Sequence, residues 1–468
     1  YNEGEVKVRP GVYQRYSNVG SSPTPGAQDG ICAIPIQASW GPLGVVVRNA
    51  YGELSKNYGT GDYAPGFTVP AAQAMFDGGA TTVYTYRMGQ GGKRASRVLK
   101  AGENDAVTAT AKYPGTMSVG LSVQPKVGND AVKEVNIYTG TSLVETFEFD
   151  ADTENEPANL VGACKKSKYI DFSLAGDGTG TVDNVAAVSG TLSGGENPTV
   201  TNEDYSKAFE ALEPFFYNCI ALDVDDDEVL SKTMLLQSYL INAYKYGKLA
   251  IAVVGEKTDV AFEARLKHAR LLNDEKFVYL GSGWSTLTGA LDGVLAICRT
   301  AGIIAATPAN HSITHSVIRG AADLLETFTY AQYEDAIKNG VLLPSMSNDG
   351  DIWFDSGIDT LVSPTVEQDE GWKKIRRTKT RLEIFDRLDR ALQPKVGRIN
   401  CDTDGIGDVV QTGMRVLDAM VTERKVAEGA SFTCERYAAD SAWFIIRADD
   451  IDSLEKIYLH YQFRFAQE

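Results

Sequence analysis

Residues 248–255 read "KLAIAVVG", and what flanks them decides the architecture. Every position from Leu249 to Val254 is apolar, which fits a strand covered on both faces, as parallel strands are. The preceding stretch "DEVLSKTMLLQSYLINAYKYG" (227–247) and the following "DVAFEARLKHARLLN" (259–273) both read as helices. The alternation continues outward. Helix "EDYSKAFEALEP" (203–214) leads into strand "FFYNCIALDV" (215–224), and strand "FVYLGSG" (277–283) leads into a predicted long helix "STLTGALDGVLAICRTAG" (285–302). Strands and helices in this order predict βαβ units around a mostly parallel sheet.

Upstream, "ICAIPI" (31–36), "VVVRNA" (45–50) and "TTVYTYRM" (81–88) supply strands, with a helix at "VPAAQAMFDGG" (69–79). Between about 95 and 197 Val, Thr and Gly dominate, in short alternating runs such as "KEVNIYTG" and "LVETFEFDA" separated by turn formers. One short helix near 157–165 is expected there. The strands of 31–92 need a sheet, so the β-rich segment reads as an insertion into the α/β body. From 346 to 450 the chain carries "DIWFDSGIDTLVS", helices "WKKIRRTKTRLEIFDRLDRAL" and "GIGDVVQTGMRVLDAMVTERK", and strand "SAWFIIRADD". The expectation is therefore an α/β multidomain chain. It comprises an N-terminal arm and linker (1–22), an α/β body (23–94 and 198–345), an inserted β-rich domain (95–197), a small α/β C-terminal domain (346–450) and a C-terminal strand arm (451–468).

The two ends resemble each other. In "LEKIYLHYQFRFAQE" (454–468) Ile457, Leu459, Tyr461, Phe463 and Phe465 alternate with polar residues, the mark of a half-buried strand. At the other end "EVKVRPGVYQRYSN" alternates through Val6 and Val8, breaks at Pro10-Gly11, and resumes at Val12 and Tyr13. Pro10 suits an edge strand. "VGSSPTPGAQDG" (19–30) follows as a linker of turn formers. A strand at a terminus invites pairing with other chains unless it is covered.

A length of 468 residues implies more than one domain. With 43% apolar and 23% charged residues, the chain has the composition of an ordinary globular protein. A net charge of −17 argues against nucleic acid as the main partner. The six cysteines form no CxxC pair, and free thiols are expected. No secretory h-region opens the sequence and no run of 18 apolar residues occurs, so neither a membrane span nor a classical export signal is expected.

Enzymatic signals are few. "LDVDDDE" (222–228) puts Asp223, Asp225, Asp226 and Asp227 at the carboxyl end of a predicted strand, where α/β folds hold ligands, and such a cluster could bind Mg²⁺. The competing account, favoured here, is that the acids cap the following helix. "VVGEKTD" (253–259) lacks phosphate-loop spacing, and "YLGSGWSTLTG" (279–289) has Thr286 where a dinucleotide fingerprint needs its third glycine. His311 and His315 in "HSITH" have the spacing of a zinc pair without the Glu or Cys that would complete a site. No enzyme, cofactor or metal is expected.

The conspicuous charge is "GWKKIRRTKTR", where Lys373, Lys374, Arg376, Arg377, Lys379 and Arg381 crowd eleven residues with no acid. Trp372, Ile375, Leu382, Phe385 and Leu388 recur at packing intervals, so the basic residues are expected to lie largely outward. Two readings stay open: a solvated face balanced by nearby acids, or an electropositive patch that docks on an acidic surface of another protein.

Short stretches in a set order carry a family resemblance. "RPGVY" (9–13), "GICAIPIQASWGPLG" (30–44), "KYPGTMSVGLSV" (112–123), "GIDTL" (357–361), the helix from Ile375 to Leu392 and "LEKIYLHYQF" (454–463) resemble the contractile tail sheath proteins of phages and phage-tail-like bacteriocins. The resemblance implies a structural subunit that polymerises as a helical sheath of stacked rings around an inner tail tube and contracts to drive the tube through a cell envelope. Baseplate and tail terminator proteins would be partners at the ends, with assembly in the host cytoplasm. It implies that both arms add strands to the C-terminal domains of neighbours, with Val6, Val8, Val12, Tyr13, Ile457, Leu459, Tyr461, Phe463 and Phe465 as arm residues. The basic run 373–381 becomes a candidate tube-facing surface. The alternatives are a Mg²⁺ enzyme using the aspartates at 223–227, or a non-contracting tail assembly protein.

Overall fold

The computed structural model describes residues 24–151, 155–175 and 184–463. Val6, Val8, Val12, Tyr13 and Phe465 lie outside them. The described chain divides into two compact units, one formed by 28–385 with the segment from 450 onward, the other by 386–449 with 24–27.

The larger unit is built on a seven-stranded sheet. Its strands are β1 (Ile31–Ile36), β2 (Val46–Asn49), β3 (Thr82–Arg87), β4 (Cys219–Ala221), β5 (Ile251–Gly255), β6 (Phe277–Leu280) and β7 (Val341–Leu342), in the order β7-β6-β5-β4-β1-β3-β2. All neighbours are parallel except the edge pair β2–β3. The continuous apolar runs expected here do bury both faces, and alternate residues go to opposite sides. Ile34, Val83, Val253 and Val278 face one layer, with helices α1 (Val69–Asp77) and α5 (Val294–Ala306). Ala33, Ile220, Ala252 and Tyr279 face the other, with α2 (Asn202–Leu212), α3 (Val229–Lys245) and α4 (Phe262–Leu272).

Helices α1 and α5 approach until backbones touch. A Cβ built on Gly302 would lie 2.0 Å from the Met75 carbonyl oxygen, and one on Gly78 would lie 2.2 Å from that of Arg299. Only glycine admits this crossing.

Residues 96–191 form two further antiparallel sheets. One holds Ser96–Ala101, Asn104–Ala111 and Ile170–Leu174; the other holds Val119–Lys126, Asn129–Thr139, Ser142–Asp150 and Val188–Thr191. They share a separate core that includes Leu99, Val107, Leu121, Ile137, Phe149 and Leu160, the last from the short helix Glu156–Ala163. Buried Arg87, at the end of β3, joins this region to the body. Its guanidinium donates to the carbonyls of Ala38, Gly41 and Pro114 at 3.0, 2.7 and 2.8 Å.

Two expectations need correction. The segment 285–302 is not one helix: Trp284–Thr286 and Gly289–Leu291 pair as a hairpin, and α5 starts only at Val294. Gly289 and Gly293 both have positive φ, which breaks a helix where the sequence otherwise looks continuous. The expected C-terminal domain from 346 is also divided. Ile352, Phe354, Ile375 and Leu382 belong to the core of the body, and the smaller unit begins at Asp386, within helix α6 (Ile375–Leu392).

The smaller unit contains the end of α6, helix α7 (Thr403–Thr422) and a hairpin of β8 (Ser431–Ala438) with β9 (Ser441–Arg447). Leu388, Val416, Leu417, Met420, Val426 and Phe432 are buried in it. Gly413 leaves room for the Phe432 ring, since a Cβ there would meet the ring at 2.5 Å.

Candidate functional site

The aspartate cluster lies where the sheet topology reverses, between β1 and β4, the place where open α/β sheets form a crevice. Backbone pairing between these strands ends at Ala33–Ile220, and Pro35, with no N–H to donate, stands just beyond. A cleft of about 520 Å³ opens there, lined by Gln37, Tyr63, Asp223, Asp225, Lys232 and Lys257 among others. Its carboxylates are already engaged. Asp223 is fully buried and accepts from the Tyr205 hydroxyl at 2.6 Å, Thr68 Oγ1 at 2.7 Å and Gln37 Nε2 at 3.4 Å. Burial pushes its carboxyl above the ordinary range despite those donors. Asp225 pairs with Lys257 at 3.0 Å and accepts the Val294 N–H at 3.1 Å, capping α5 from 69 residues away. Asp226 accepts the Glu228 N–H at 3.0 Å. Among the described residues no group of three or more His, Cys, Asp or Glu is placed to hold a metal. Of these acids Asp225 caps a helix start, at long range, while α3 begins without a side-chain cap, contrary to the expectation that the acids cap the following helix.

The other enzymatic signals also have structural partners. His311 and His315 are not on a helix; His311 contacts the Asn310 side chain and His315 stacks on Trp353 with ring centroids 4.4 Å apart. In "VVGEKTD", Glu256 accepts from Tyr279 and contacts His268, and Thr258 donates to Asp292.

The basic run does not form an outward electropositive face. Arg376 is only 6% exposed and Lys379 only 4%. Lys379 Nζ donates to the carbonyls of Ile304, Ala305 and Thr307, closing the C-terminus of α5, with Asp29 at 3.5 Å. Burial draws its amine below the usual lysine range. Arg381 lies over the Trp372 ring at 3.9 Å, and Lys373 pairs with Glu370 at 2.7 Å. The remaining three meet residues from the C-terminal end of the chain. Arg377 grips Asp450 through two bonds, Nη2 to Oδ1 at 2.6 Å and Nε to Oδ2 at 2.7 Å, with Asp369 at 3.1 Å. Lys374 pairs with Asp452 at 2.6 Å and Glu455 at 3.0 Å. Arg376 donates to Ser453 Oγ at 2.8 Å, and Glu455 also accepts from Ser312 and Thr314 at 3.3 and 3.1 Å. Sequence reading missed these acids. The available signal is "DDIDSLE" (449–455), a charge match for the run 70 residues upstream.

Beyond Glu455 the chain leaves this support. Ile457 and Leu459 are 69% exposed, Tyr461 70% and Phe463 87%. Tyr461 and Phe463 rings stack at 6.2 Å, and Gln462 meets His460 at 3.4 Å, so residues two apart share a side, as the alternation requires. Among the described residues nothing pairs with 456–463. In the smaller unit the hairpin β8–β9 is, among the described residues, a sheet of two strands, carrying half-exposed Tyr437, Trp443 and Ile446.

Residues 199–352 match the family model described as the phage tail sheath protein central domain, a span that includes β4 to β7. The chain is 27% identical over 391 residues to the uncharacterized protein YqbK of Bacillus subtilis (strain 168), covering 80% of this chain and 77% of that one. It superposes on the crystal structure of a sheath tail protein from Desulfitobacterium hafniense with a TM-score of 0.70 at 18% identity, covering 94% of this chain and all of that one. The helical sheath of the anti-feeding prophage in its contracted state gives 0.55 at 12% identity over 98% of this chain and 99% of that one. Over residues 199–352 this chain thus matches the phage tail sheath protein central domain, and as a whole it has the fold of a sheath tail protein.

Proposed function

We propose that the chain is the subunit of a contractile tail sheath, polymerising helically around an inner tube by exchanging strands between neighbours. The observation that carries this reading is the segment 456–463, whose residues two apart share a side, with Ile457, Leu459, Tyr461 and Phe463 uncovered among the described residues. The hairpin β8–β9 packs on α7 and has no third strand among the described residues, so its edge is the complementary half. A strand laid on its edge gains main-chain hydrogen bonds, while side chains on one face set the register. Ile457, Leu459, Tyr461 and Phe463 supply that face, joined by Phe465. From the other end Val6, Val8, Val12 and Tyr13 supply a second strand. Arm and hairpin are different surfaces, so the contact is heterologous and propagates as a helix instead of closing a pair.

Contraction then needs no cofactor. Rigid subunits rotate and pack while the exchanged strands persist as hinges, and "VGSSPTPGAQDG" (19–30) has the turn-rich composition such a hinge needs. The inner tube runs through the cylinder, baseplate and terminator proteins close its ends, and the particle is a phage or bacteriocin tail assembled in the host cytoplasm. The tube-facing role expected for Lys373, Lys374, Arg376, Arg377, Lys379 and Arg381 is not carried forward, because their charges meet partners within the chain.

Deleting 456–468 tests the reading. The expected product is a folded monomer that forms no tubes under negative-stain electron microscopy; cylinders like those of the full chain would refute strand exchange through this arm.

A further inference from the structure

The basic run has its own task, and the contacts at the root of the C-terminal segment define it. Three consecutive anchoring points lie along 450–455. Asp450 is held by a two-pronged guanidinium, the geometry in which an arginine–carboxylate pair is strongest and most directional. Asp452 and Ser453 follow, on Lys374 and Arg376. Glu455 ends the series and is held from two sides, by Lys374 and by the Ser312 and Thr314 hydroxyls. Burial of the anchor matches its position: Ile451, Ser453 and Glu455 are half-buried, whereas every described residue from Lys456 onward is exposed. The change is abrupt and coincides with the last ion pair.

We infer that Lys374, Arg376 and Arg377 are positioning residues that clamp 450–455 to the start of α6, so that the segment free to pair with a second copy begins at Lys456. The inference rests on the strand-exchange reading for the use of the free segment, but the clamp itself is a property of the single chain. Its consequence is geometric. A strand offered from a fixed root reaches an acceptor edge in one direction and register, whereas an unanchored tail of the same sequence would sample many. The clamp also sets which part of the C-terminal segment bends when subunits rotate, namely the residues just beyond Glu455 and not the root.

The experiment measures the root and the assembly separately in the full-length protein. The rate of cleavage after Glu455 by a glutamate-specific protease reports the clamp in the unassembled chain, and negative-stain microscopy reports tubes. Arg377→Asp should speed that cleavage about tenfold and cut tube yield by a similar factor. Combining it with Asp450→Arg should recover a large part of both, which loss of packing alone would not do. Arg377→Gln and Asp450→Asn, which remove the pairing with little change in size, give the same readouts if the charge reversals fail to fold. Unchanged cleavage in these variants would show that there is no clamp. Faster cleavage with normal tubes would show a clamp that does not position the arm, and would equally overturn the proposal. Deletion of 456–468, run in parallel, separates the two ideas: normal tubes there would sink strand exchange, while the cleavage data from the full-length variants would still decide the clamp.

Discussion

Strand β5 and the segment 456–463 belong to the same compact unit, and both are dominated by large apolar side chains. In β5 every residue is buried, with Ile251 and Val253 packed into one layer and Ala252 and Val254 into the other. In the C-terminal segment the apolar side chains stand more than two-thirds exposed. Side-chain chemistry separates them only in part, since β5 is apolar throughout and the segment carries Lys456, His460 and Gln462 between its apolar residues. A further difference is that β5 has strands on both edges and helices on both faces, and among the described residues the segment has neither. A segment with large apolar side chains uncovered among the described residues is evidence about assembly, because exposing them continuously favours association with other copies.

The sharpest way to break this contrast is at the tightest point of the body. Gly302→Ala puts a methyl 2.0 Å from a backbone oxygen, and should cost about 3 kcal/mol or prevent folding, read by thermal unfolding. A paired test comes next. Ile34→Ala, fully buried in β1, should cost about 3 kcal/mol, whereas Ile457→Ala should change monomer stability by no more than about 0.5 kcal/mol. The same Ile457→Ala should raise the concentration needed for tube formation about tenfold, since each buried apolar side chain contributes roughly 1.5–3 kcal/mol. A stability loss at Ile457 as large as at Ile34 would mean the segment is packed within its own chain.

The smaller unit, with its modest core, should lean more on charge. Hydrogen bonds from Arg387 at 2.9 and 2.5 Å, together with Lys425 at 2.7 Å, hold Glu423 down to about 2. Its folded value is depressed, so its contribution is present above the unfolded value of 4.5 and is lost as pH falls towards 2. Exchange protection in α7 should therefore differ between the native chain and Glu423→Gln at pH 6, and converge near pH 2. An equal difference at both pH values would disprove the linkage. The smallest effect is expected at Asp359, which is fully buried near Asp274, Glu275 and Arg381 and is pushed well up by burial. A carboxyl raised in the folded state costs stability as pH rises above its unfolded value of 3.8. Asp359→Asn should raise the melting temperature at pH 7 by about 1–2 °C and leave it unchanged below pH 4.

Much of the fold was legible because its signals are local. The run "KLAIAVVG" and its flanking helices could bury both faces only within a parallel sheet, and α2, α3, α4, α6 and α7 lie where their periodicity puts them. The terminal alternation keeps residues two apart on one side, but no strand forms over 456–463, where no described strand lies beside it. The failures share a cause. The start of α5 depends on positive φ at Gly293 and on a cap from Asp225, and the fate of the basic run depends on acids more than 70 residues downstream.

By itself, then, the amino-acid order determined most of the strands and helices, the hairpin at 284–291 excepted, and which side of each is apolar, because those properties repeat over two to four residues. Only the tertiary structure decided where the charges go: Asp225 to a helix start, Lys379 to a helix end, Arg377 to the root of the C-terminal segment. Electrostatic pairing acts through space between residues far apart in the chain, and no local period records it.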